Sequence, residues 1–230
     1  MNGISGVKAI SFDADGTLWD FDKVMRHSLG HALRELESVD AETASMLDIE
    51  KMIAIRQATF EEMKGRATNL EEIRLEAFRR SLRHAGRPDE ALASRLNDVY
   101  LKHRYEDIEI FDDVRPTLSA LRQRYAVGLI SNGNTLPERC GLDGVFQFVV
   151  FSQDHGVEKP DPRIFIIALE QAGCGAEELL HVGDSLENDV KRATDAGVRS
   201  VWLNRNGAEK GSCIEAQCEI SSLAELLGVL

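Results

Sequence analysis

The stretch VKAISFDADGT, Val7–Thr17, joins a mostly apolar run to two aspartates and a glycine. A parallel strand that is buried on both faces is apolar, so Asp13 and Asp15 belong where the strand ends. Side chains at i and i+2 of an extended segment project to the same face, and Gly16 permits a sharp turn directly after them. In open α/β sheets, ligands bind at this carboxyl end of the strands. The stretch therefore predicts a doubly charged site at the end of a buried strand.

The rest of the chain differs in character along its length, and the differences predict an inserted domain. Residues 19–107 carry apolar side chains at helical spacing almost throughout, with a turn at Gly86–Pro88. Residues 108–230 alternate strands with helices, which is typical of a parallel sheet covered by helices on both faces. We therefore predict an α/β protein with a Rossmann-like core, formed by residues 1–18 and 108–230, and an inserted all-α helical bundle over residues 19–107.

The composition excludes several classes of function. The 230 residues carry a formal net charge of −12 and the sequence pI is near 5.0, so we expect no nucleic-acid partner. No apolar run approaches the roughly 20 residues that span a bilayer, and no secretory pattern opens the chain, so we expect no membrane association. The four cysteines show no metal-site or disulfide spacing, which favours reduced thiols in a cytoplasmic protein. Cys213 and Cys218 are the pair that oxidation could join.

Polar side chains follow two further strands of the predicted sheet. Ser131 and Asn132 come directly after the apolar segment 125–130, and Asp184 comes shortly after the segment 179–182. Because the carboxyl ends of parallel strands lie at one edge of a sheet, we expect these side chains to meet the first pair of aspartates there.

Two other residues fit the same edge. Asp189 lies five positions after Asp184, in the first turn of a helix expected over about 187–196, and Lys159 lies in the proline-held segment Glu158–Pro162. Three or four converging carboxylates repel one another unless a cation balances them. A hard divalent ion with oxygen ligands, above all Mg²⁺, fits such a group.

Taken in order, these motifs resemble those of the haloacid dehalogenase (HAD) superfamily along essentially the whole chain. They are DADGT at 13–17, Ser131-Asn132, Lys159 and GDSLEND at 183–189. The helical insert between the first two motifs is similar to the cap of the superfamily's subfamily I. The resemblance implies a phosphatase-like member whose mobile helical cap closes over the substrate and excludes bulk water.

The resemblance also implies a role for each motif residue. Asp13 is the expected nucleophile, which forms an aspartyl-phosphate, and Asp15 is the expected acid and base, which must hold a proton before the leaving oxygen departs. Lys159 is expected both to take part in catalysis and, with Ser131 and Asn132, to bind the transferring phosphoryl group. The expected Mg²⁺ ligands are the Asp13 carboxylate, the Asp15 backbone carbonyl, the Asp184 carboxylate, and Asp189 either directly or through water.

The expected activity is Mg²⁺-dependent hydrolysis of a small phosphomonoester, such as a nucleotide monophosphate or a sugar phosphate. Asp15 favours this chemistry, because members that resemble the dehalogenases lack an acid there and halide leaves unprotonated. Three alternatives stay open: phosphoglucomutase-like phosphoryl transfer, 2-haloacid dehalogenation and a non-catalytic binding role. Neither the substrate nor the choice between monomer and homodimer follows from the sequence.

Several side chains have two interpretations. Asp189 could serve only to favour the start of its helix, and Trp19 could either line the pocket or simply pack. His27 and His31 lie at i and i+4 of a predicted helix, a spacing that permits metal binding. The sequence shows no third ligand beside them, so packing or solvated histidines are the favoured interpretation.

Overall fold

The structure of the protein is a computed structural model that describes most of the chain: residues 3–63, 69–209, 214 and 216–230. Its contacts form two compact units, Met1–Asp20 with Ile110–Leu230, and Phe21–Glu109. We refer to them as the α/β unit and the helical unit. Cys213 lies outside the described residues, so its pairing with Cys218 stays a prediction.

The helical unit consists, over its described residues, of α1 (Phe21–Val39), α2 (Ala41–Ser45), α3 (Ile49–Met63), α4 (Leu70–His84) and α5 (Glu90–Glu106). Side-chain caps begin three of these helices: Asp40, Asn69 and Asp89 each accept a hydrogen bond from a first-turn backbone N–H. An apolar cluster fills the interior, and its members include Leu36, Phe78, Leu82, Leu96 and Tyr100. The unit therefore has a hydrophobic core of its own.

The α/β unit is built on β1 (Ala9–Phe12), β2 (Ala126–Ser131), β3 (Phe148–Phe151), β4 (Leu179–Gly183), β5 (Arg199–Leu203) and β6 (Cys218–Ile220). These strands form one parallel sheet in the order β3-β2-β1-β4-β5-β6. β1 is central, and the chain order reverses beside it. In open α/β sheets, ligands bind at such a reversal. The six-stranded parallel sheet confirms the predicted α/β fold class.

Helices flank this sheet: α6 (Val114–Leu121), α7 (Ser152–His155), α8 (Arg163–Ala172), α9 (Arg192–Asp195) and α10 (Leu226–Val229). α8 packs on β2 and β3, and α9 packs on β5. Every residue of β1 is buried, as its apolar sequence requires in a strand with neighbours on both sides. In the described part of the chain, no helix is both long enough and apolar enough to cross a bilayer.

One predicted element has a different form. The regular helix expected over 187–196 begins instead with a π-helical segment, Leu186–Lys191, and continues as α9. The backbone N–H of Val190 donates to the carbonyl of Ser185, five residues earlier, which widens the turn. The side chain of Asp189 explains the π-helical form. It turns inward and accepts from the backbone N–H of Ser185 at 3.0 Å.

Asp113, directly before α6, joins three distant segments of the α/β unit. Its carboxylate accepts from both terminal nitrogens of Arg205 at 2.9 Å, from Ser222 Oγ at 2.7 Å and from the backbone N–H of Leu223 at 2.8 Å. Arg205 also donates to the carbonyl of Thr17 at 2.9 Å. The pair is only 15% exposed on each side chain, so these bonds stabilise the turn that follows β1.

Replacing Asp113 tests this junction. We expect Asp113→Ala to lower the free energy of unfolding by about 2–4 kcal/mol, because it leaves the largely buried guanidinium of Arg205 unbalanced. Trp19 and Trp202 both lie in the α/β unit, so their fluorescence in urea reports its unfolding. The neighbouring exposed Asp112→Ala is the control and should change stability by about 0.5 kcal/mol or less; equal effects of the two variants would contradict the assignment.

Candidate active site

The carboxyl ends of β1, β2 and β4 bring the predicted site residues to one edge of the sheet. Asp13 directly follows β1, and its backbone N–H continues the ladder by donating to the carbonyl of Val182 on β4 at 2.8 Å. Ser131 is the last residue of β2, and Asp184 directly follows β4. These three strands are neighbours, so side chains far apart in sequence come together where the chain order reverses.

Lys159 lies between two carboxylates. Its Nζ donates to Oδ1 of Asp13, to Oδ1 of Asp189 at 2.6 Å and to the carbonyl of Ile130 at 3.2 Å. The three side chains of this cluster are buried, with side-chain exposures of 3% for Lys159, 11% for Asp13 and 2% for Asp189. An ammonium that is buried to this degree requires such partners, because its desolvation is otherwise costly.

The charges of the cluster shift its pKa values in opposite directions. Burial would lower the pKa of Lys159, but the charges of Asp13 and Asp189 outweigh it and raise that pKa, so the ammonium stays charged. Burial raises the pKa of Asp13 well above its usual value, and the charges of Asp189 and Asp184 add to the effect of burial, against the lowering effect of Lys159. For Asp189, burial is outweighed by Lys159 and His181, and its pKa is lowered.

Asp184 extends this acidic group. Desolvation, and then the negative charge of Asp189, raise the pKa of Asp184 to about 6, although part of its side chain is exposed. One carboxylate oxygen each from Asp13, Asp184 and Asp189 lies within 4.8 Å of the others. Three carboxylates facing one ammonium leave a surplus of negative charge. A cation held by oxygen ligands would relieve that surplus.

Asp15 lies at the same edge but in different surroundings. The indole N–H of Trp19 donates to its Oδ1 at 2.7 Å, and a Cβ built on Gly133 would lie 2.8 Å from its Oδ2. A tight turn holds Asp15 and Trp19 together, because the backbone N–H of Gly16 donates to the carbonyl of Trp19 at 2.8 Å. Trp19 is fully buried. The sequence left open whether Trp19 lines the pocket or packs, and in the structure its indole ring is packed. Its indole N–H holds Asp15.

The side chain of Asn132 binds the backbone on both sides of the Lys159 α-carbon. Its Oδ1 accepts from the N–H of Lys159 at 2.7 Å and from Ser152 Oγ at 2.5 Å, while its Nδ2 donates to the carbonyl of Lys159 at 2.7 Å. Ser131 Oγ accepts from the backbone N–H of Gly133 at 2.9 Å. The structure thus gives Asn132 the geometry of a residue that positions Lys159, and its direct contact with a phosphoryl group stays a prediction.

Behind Asp189 lies a buried polar pair that the sequence analysis did not identify. His181 Nε2 lies 3.3 Å from Oδ1 of Asp189, and its Nδ1 lies 2.9 Å from Ser11 Oγ. Burial lowers the pKa of His181 and keeps the ring neutral. Because a carboxylate only accepts, we assign the ring proton to Nε2. Ser11 and His181 are register partners on β1 and β4. In the sequence, the sign of this pair was one polar residue within each of two apolar strands.

Comparisons with known proteins indicate the family to which the chain belongs. A protein-family model matches residues 7–197, and its description is haloacid dehalogenase-like hydrolase. A glyceraldehyde 3-phosphate phosphatase from Methanopyrus kandleri is 30% identical, with 86% of this chain and 84% of the relative covered. The 5-amino-6-(5-phospho-D-ribitylamino)uracil phosphatase YigB of Escherichia coli is 28% identical, with 97% and 96% covered.

The chain is also similar to a solved structure whose name gives a different activity. The crystal structure of a 2-haloacid dehalogenase from Pseudomonas syringae pv. Tomato DC3000 is 31% identical, covers 97% of each chain and has a TM-score of 0.82. The chain belongs to the haloacid dehalogenase-like hydrolase family. It is an enzyme of that family, and its kinship with named phosphatases supports the class of phosphoric monoester hydrolases.

Gly16 tests how closely the turn approaches the acidic group. Its φ is +86°, and a Cβ there would lie 2.9 Å from Cγ of Asp184. We expect Gly16→Ala to lower the free energy of unfolding by about 1–2 kcal/mol through the left-handed backbone and, in addition, to lower kcat by displacing Asp184.

Gly144 offers the matched control for this prediction. Its φ is +62°, and a Cβ there meets nothing within 4 Å. Gly144→Ala should therefore show the stability loss in a urea titration and no change in kcat. If both variants keep full activity, the close approach of Gly16 to Asp184 has no functional importance.

Proposed function

We propose that the protein is a Mg²⁺-dependent phosphatase that hydrolyses a small phosphomonoester through an aspartyl-phosphate on Asp13. The observation that carries this proposal is the second carboxyl group, Asp15, held by Trp19 at the same edge as Asp13. Transfer of a phosphoryl group from an alcohol requires a proton for the leaving oxygen. Halide departs without a proton, so a dehalogenase has no use for an acid at this position.

The acidic group has the donors that Mg²⁺ prefers. Asp13, Asp184 and Asp189 each supply a carboxylate oxygen, and their surplus negative charge supports a hard cation with oxygen ligands. We assign Asp13 and Asp184 as carboxylate ligands, Asp15 as a ligand through its backbone carbonyl, and Asp189 as a ligand directly or through water. Bound there, Mg²⁺ supplies positive charge that offsets the repulsion between carboxylate and phosphate.

In the first step, a carboxylate oxygen of Asp13 attacks phosphorus and forms the acyl-phosphate bond. The bond between phosphorus and the ester oxygen breaks, and Asp15 gives its proton to that oxygen, so an alcohol leaves. In the second step, Asp15 takes a proton from water as the water oxygen attacks phosphorus. The bond to Asp13 then breaks, inorganic phosphate leaves, and both carboxyl groups return to their starting state.

The remaining residues of the site bind and orient. Lys159 places a positive charge at Asp13, where the phosphate arrives, and stabilises negative charge on the phosphoryl oxygens. Ser131 accepts from Gly133, which leaves its O–H to donate to the same group. Asn132 positions the backbone of Lys159. The function of the helical unit as a mobile cap stays a prediction, as do the cytoplasmic location and the oligomeric state.

Small metabolites are the substrates we propose. Both phosphatase relatives named above have a phosphate on a short polyol or sugar-like chain in their names. A panel of sugar phosphates, nucleotides and other phosphomonoesters, compared by kcat/KM, identifies the preferred class. Mass spectrometry of the products distinguishes hydrolysis, which releases inorganic phosphate, from a mutase reaction, which returns an isomeric sugar phosphate.

The two aspartates test the mechanism directly. With p-nitrophenyl phosphate and Mg²⁺, we expect Asp13→Asn to abolish hydrolysis, because an amide is not a nucleophile for phosphorus. Asp15→Asn should lower kcat by about 10²–10⁴-fold, since its amide oxygen still accepts from Trp19 but cannot exchange the proton. The exposed Asp143→Asn is the control and should retain wild-type kcat.

The same variants decide between phosphatase and dehalogenase. Halide release from 2-chloropropionate should be undetectable in the wild-type protein. Halide release that exceeds phosphate release, or hydrolysis that survives in Asp13→Asn, would sink the proposed mechanism.

The acidic group also makes Mg²⁺ binding depend on pH. The pKa of Asp184 is raised to about 6, so below that pH a proton competes with the ion. We expect the Mg²⁺ affinity, measured by calorimetry, to fall as the pH is lowered through about 6, because the ion must displace a proton from Asp184. Asp184→Asn should weaken binding at pH 7 and flatten this dependence, whereas Asp143→Asn should keep it. An affinity that is independent of pH in the wild-type protein would contradict the assigned ligand.

A further inference from the structure

Four side chains with metal-binding atoms converge in the helical unit, outside the acidic group. His27 and His31 lie one turn apart on α1, His103 lies in the last turn of α5, and Asp107 directly follows α5. One donor atom from each lies within 4.8 Å of the others. The sequence shows His27 and His31 as an i, i+4 pair without a third ligand. The packing of α1 against α5 supplies the second i, i+4 pair.

The distances suit a small ion. His27 Nε2 lies 3.1 Å from Oδ2 of Asp107 and 3.2 Å from Nε2 of His31, and His103 Nδ1 lies 2.7 Å from the same Asp107 oxygen. In a tetrahedral zinc site with bonds of about 2.0–2.1 Å, neighbouring donors are about 3.3 Å apart. The donors on α1 and Asp107 already have nearly this spacing.

We propose that His27, His31, His103 and Asp107 form a second metal site, which binds a Zn²⁺-like transition ion and links α1 to α5. Three imidazole nitrogens and one carboxylate oxygen are borderline-soft donors that suit Zn²⁺ and its neighbours, whereas Mg²⁺ prefers oxygen alone. This site therefore differs in metal preference from the acidic group at the sheet edge. Four protein ligands without an open position are typical of structural zinc sites.

Two features of the site disfavour metal binding. The rings of His31 and His103 stack, with centroids 3.4 Å apart and planes 14° from parallel, so the rings must open from this stack for both to ligate. Arg34, one turn further along α1, adds a positive charge near His31. The negative charge of Asp107 counters the positive charge of Arg34, and Asp107 already accepts from His27 and His103.

Calorimetry on the untagged, metal-free full chain tests the site. Zn²⁺ is titrated in excess Mg²⁺, which occupies the acidic group, and the same titration is repeated in Asp13→Asn, so the result does not depend on phosphatase activity. We expect one equivalent of Zn²⁺ to bind in both proteins and to raise the temperature of unfolding. His31→Gln and His103→Gln should each weaken that binding by roughly tenfold or more.

His84, an exposed histidine in the last turn of α4, is the matched control, and His84→Gln should bind Zn²⁺ as the wild type does. Circular dichroism confirms that each variant is folded. Anomalous scattering from a wild-type crystal grown with Zn²⁺ locates the ion independently of any variant. The proposal is overturned if no equivalent binds, if the glutamine variants bind as tightly as the wild type, or if the ion lies elsewhere. In those cases the four side chains form only a hydrogen-bonded cluster.

Discussion

The contact of Lys159 with Asp13 and Asp189 is the interaction on which the rest of the site depends. Two buried carboxylates and one buried ammonium lose their hydration together, and each is tolerable only because the others are in place. The surrounding polar groups serve this arrangement. Asn132 holds the backbone of Lys159, and His181 donates to Asp189 from behind. Removing the ammonium of Lys159 would leave two buried carboxylates with no cation between them.

The same constraint explains why two neighbouring aspartates are not interchangeable. Asp13 faces the ammonium of Lys159, which counters the burial and the two neighbouring carboxylates that raise the pKa of Asp13. Asp15 faces the indole N–H of Trp19 and the backbone of Gly133. One turn after a central strand thus creates two carboxyl groups with different surroundings. Differences of this kind separate a nucleophile from an acid in enzymes that use paired carboxylates.

Much of this could be predicted because the sequence patterns that carry it are local. An apolar strand followed by charged residues marks a strand end, and three such ends in an α/β pattern place their side chains at one edge. The residues that escaped prediction are those whose role arises from register or helix packing. Ser11 and His181 become partners because β1 and β4 are neighbours in register. His103 and Asp107 meet His27 because α5 packs on α1. No local pattern contains either relation.

By itself, the sequence determined the strand-helix alternation, the helical insert and the identity of the charged residues that end the strands. Periodicity and residue type are enough for these, because burial acts on each segment separately. Tertiary structure alone decided which charges are paired. Lys159 is 146 residues from Asp13 and 30 from Asp189, and it reaches both only because β1 lies between β2 and β4 and a π-helical turn carries Asp189 inward. Electrostatic pairing depends on distance in space, and that distance is set by strand order, which a single sequence does not display.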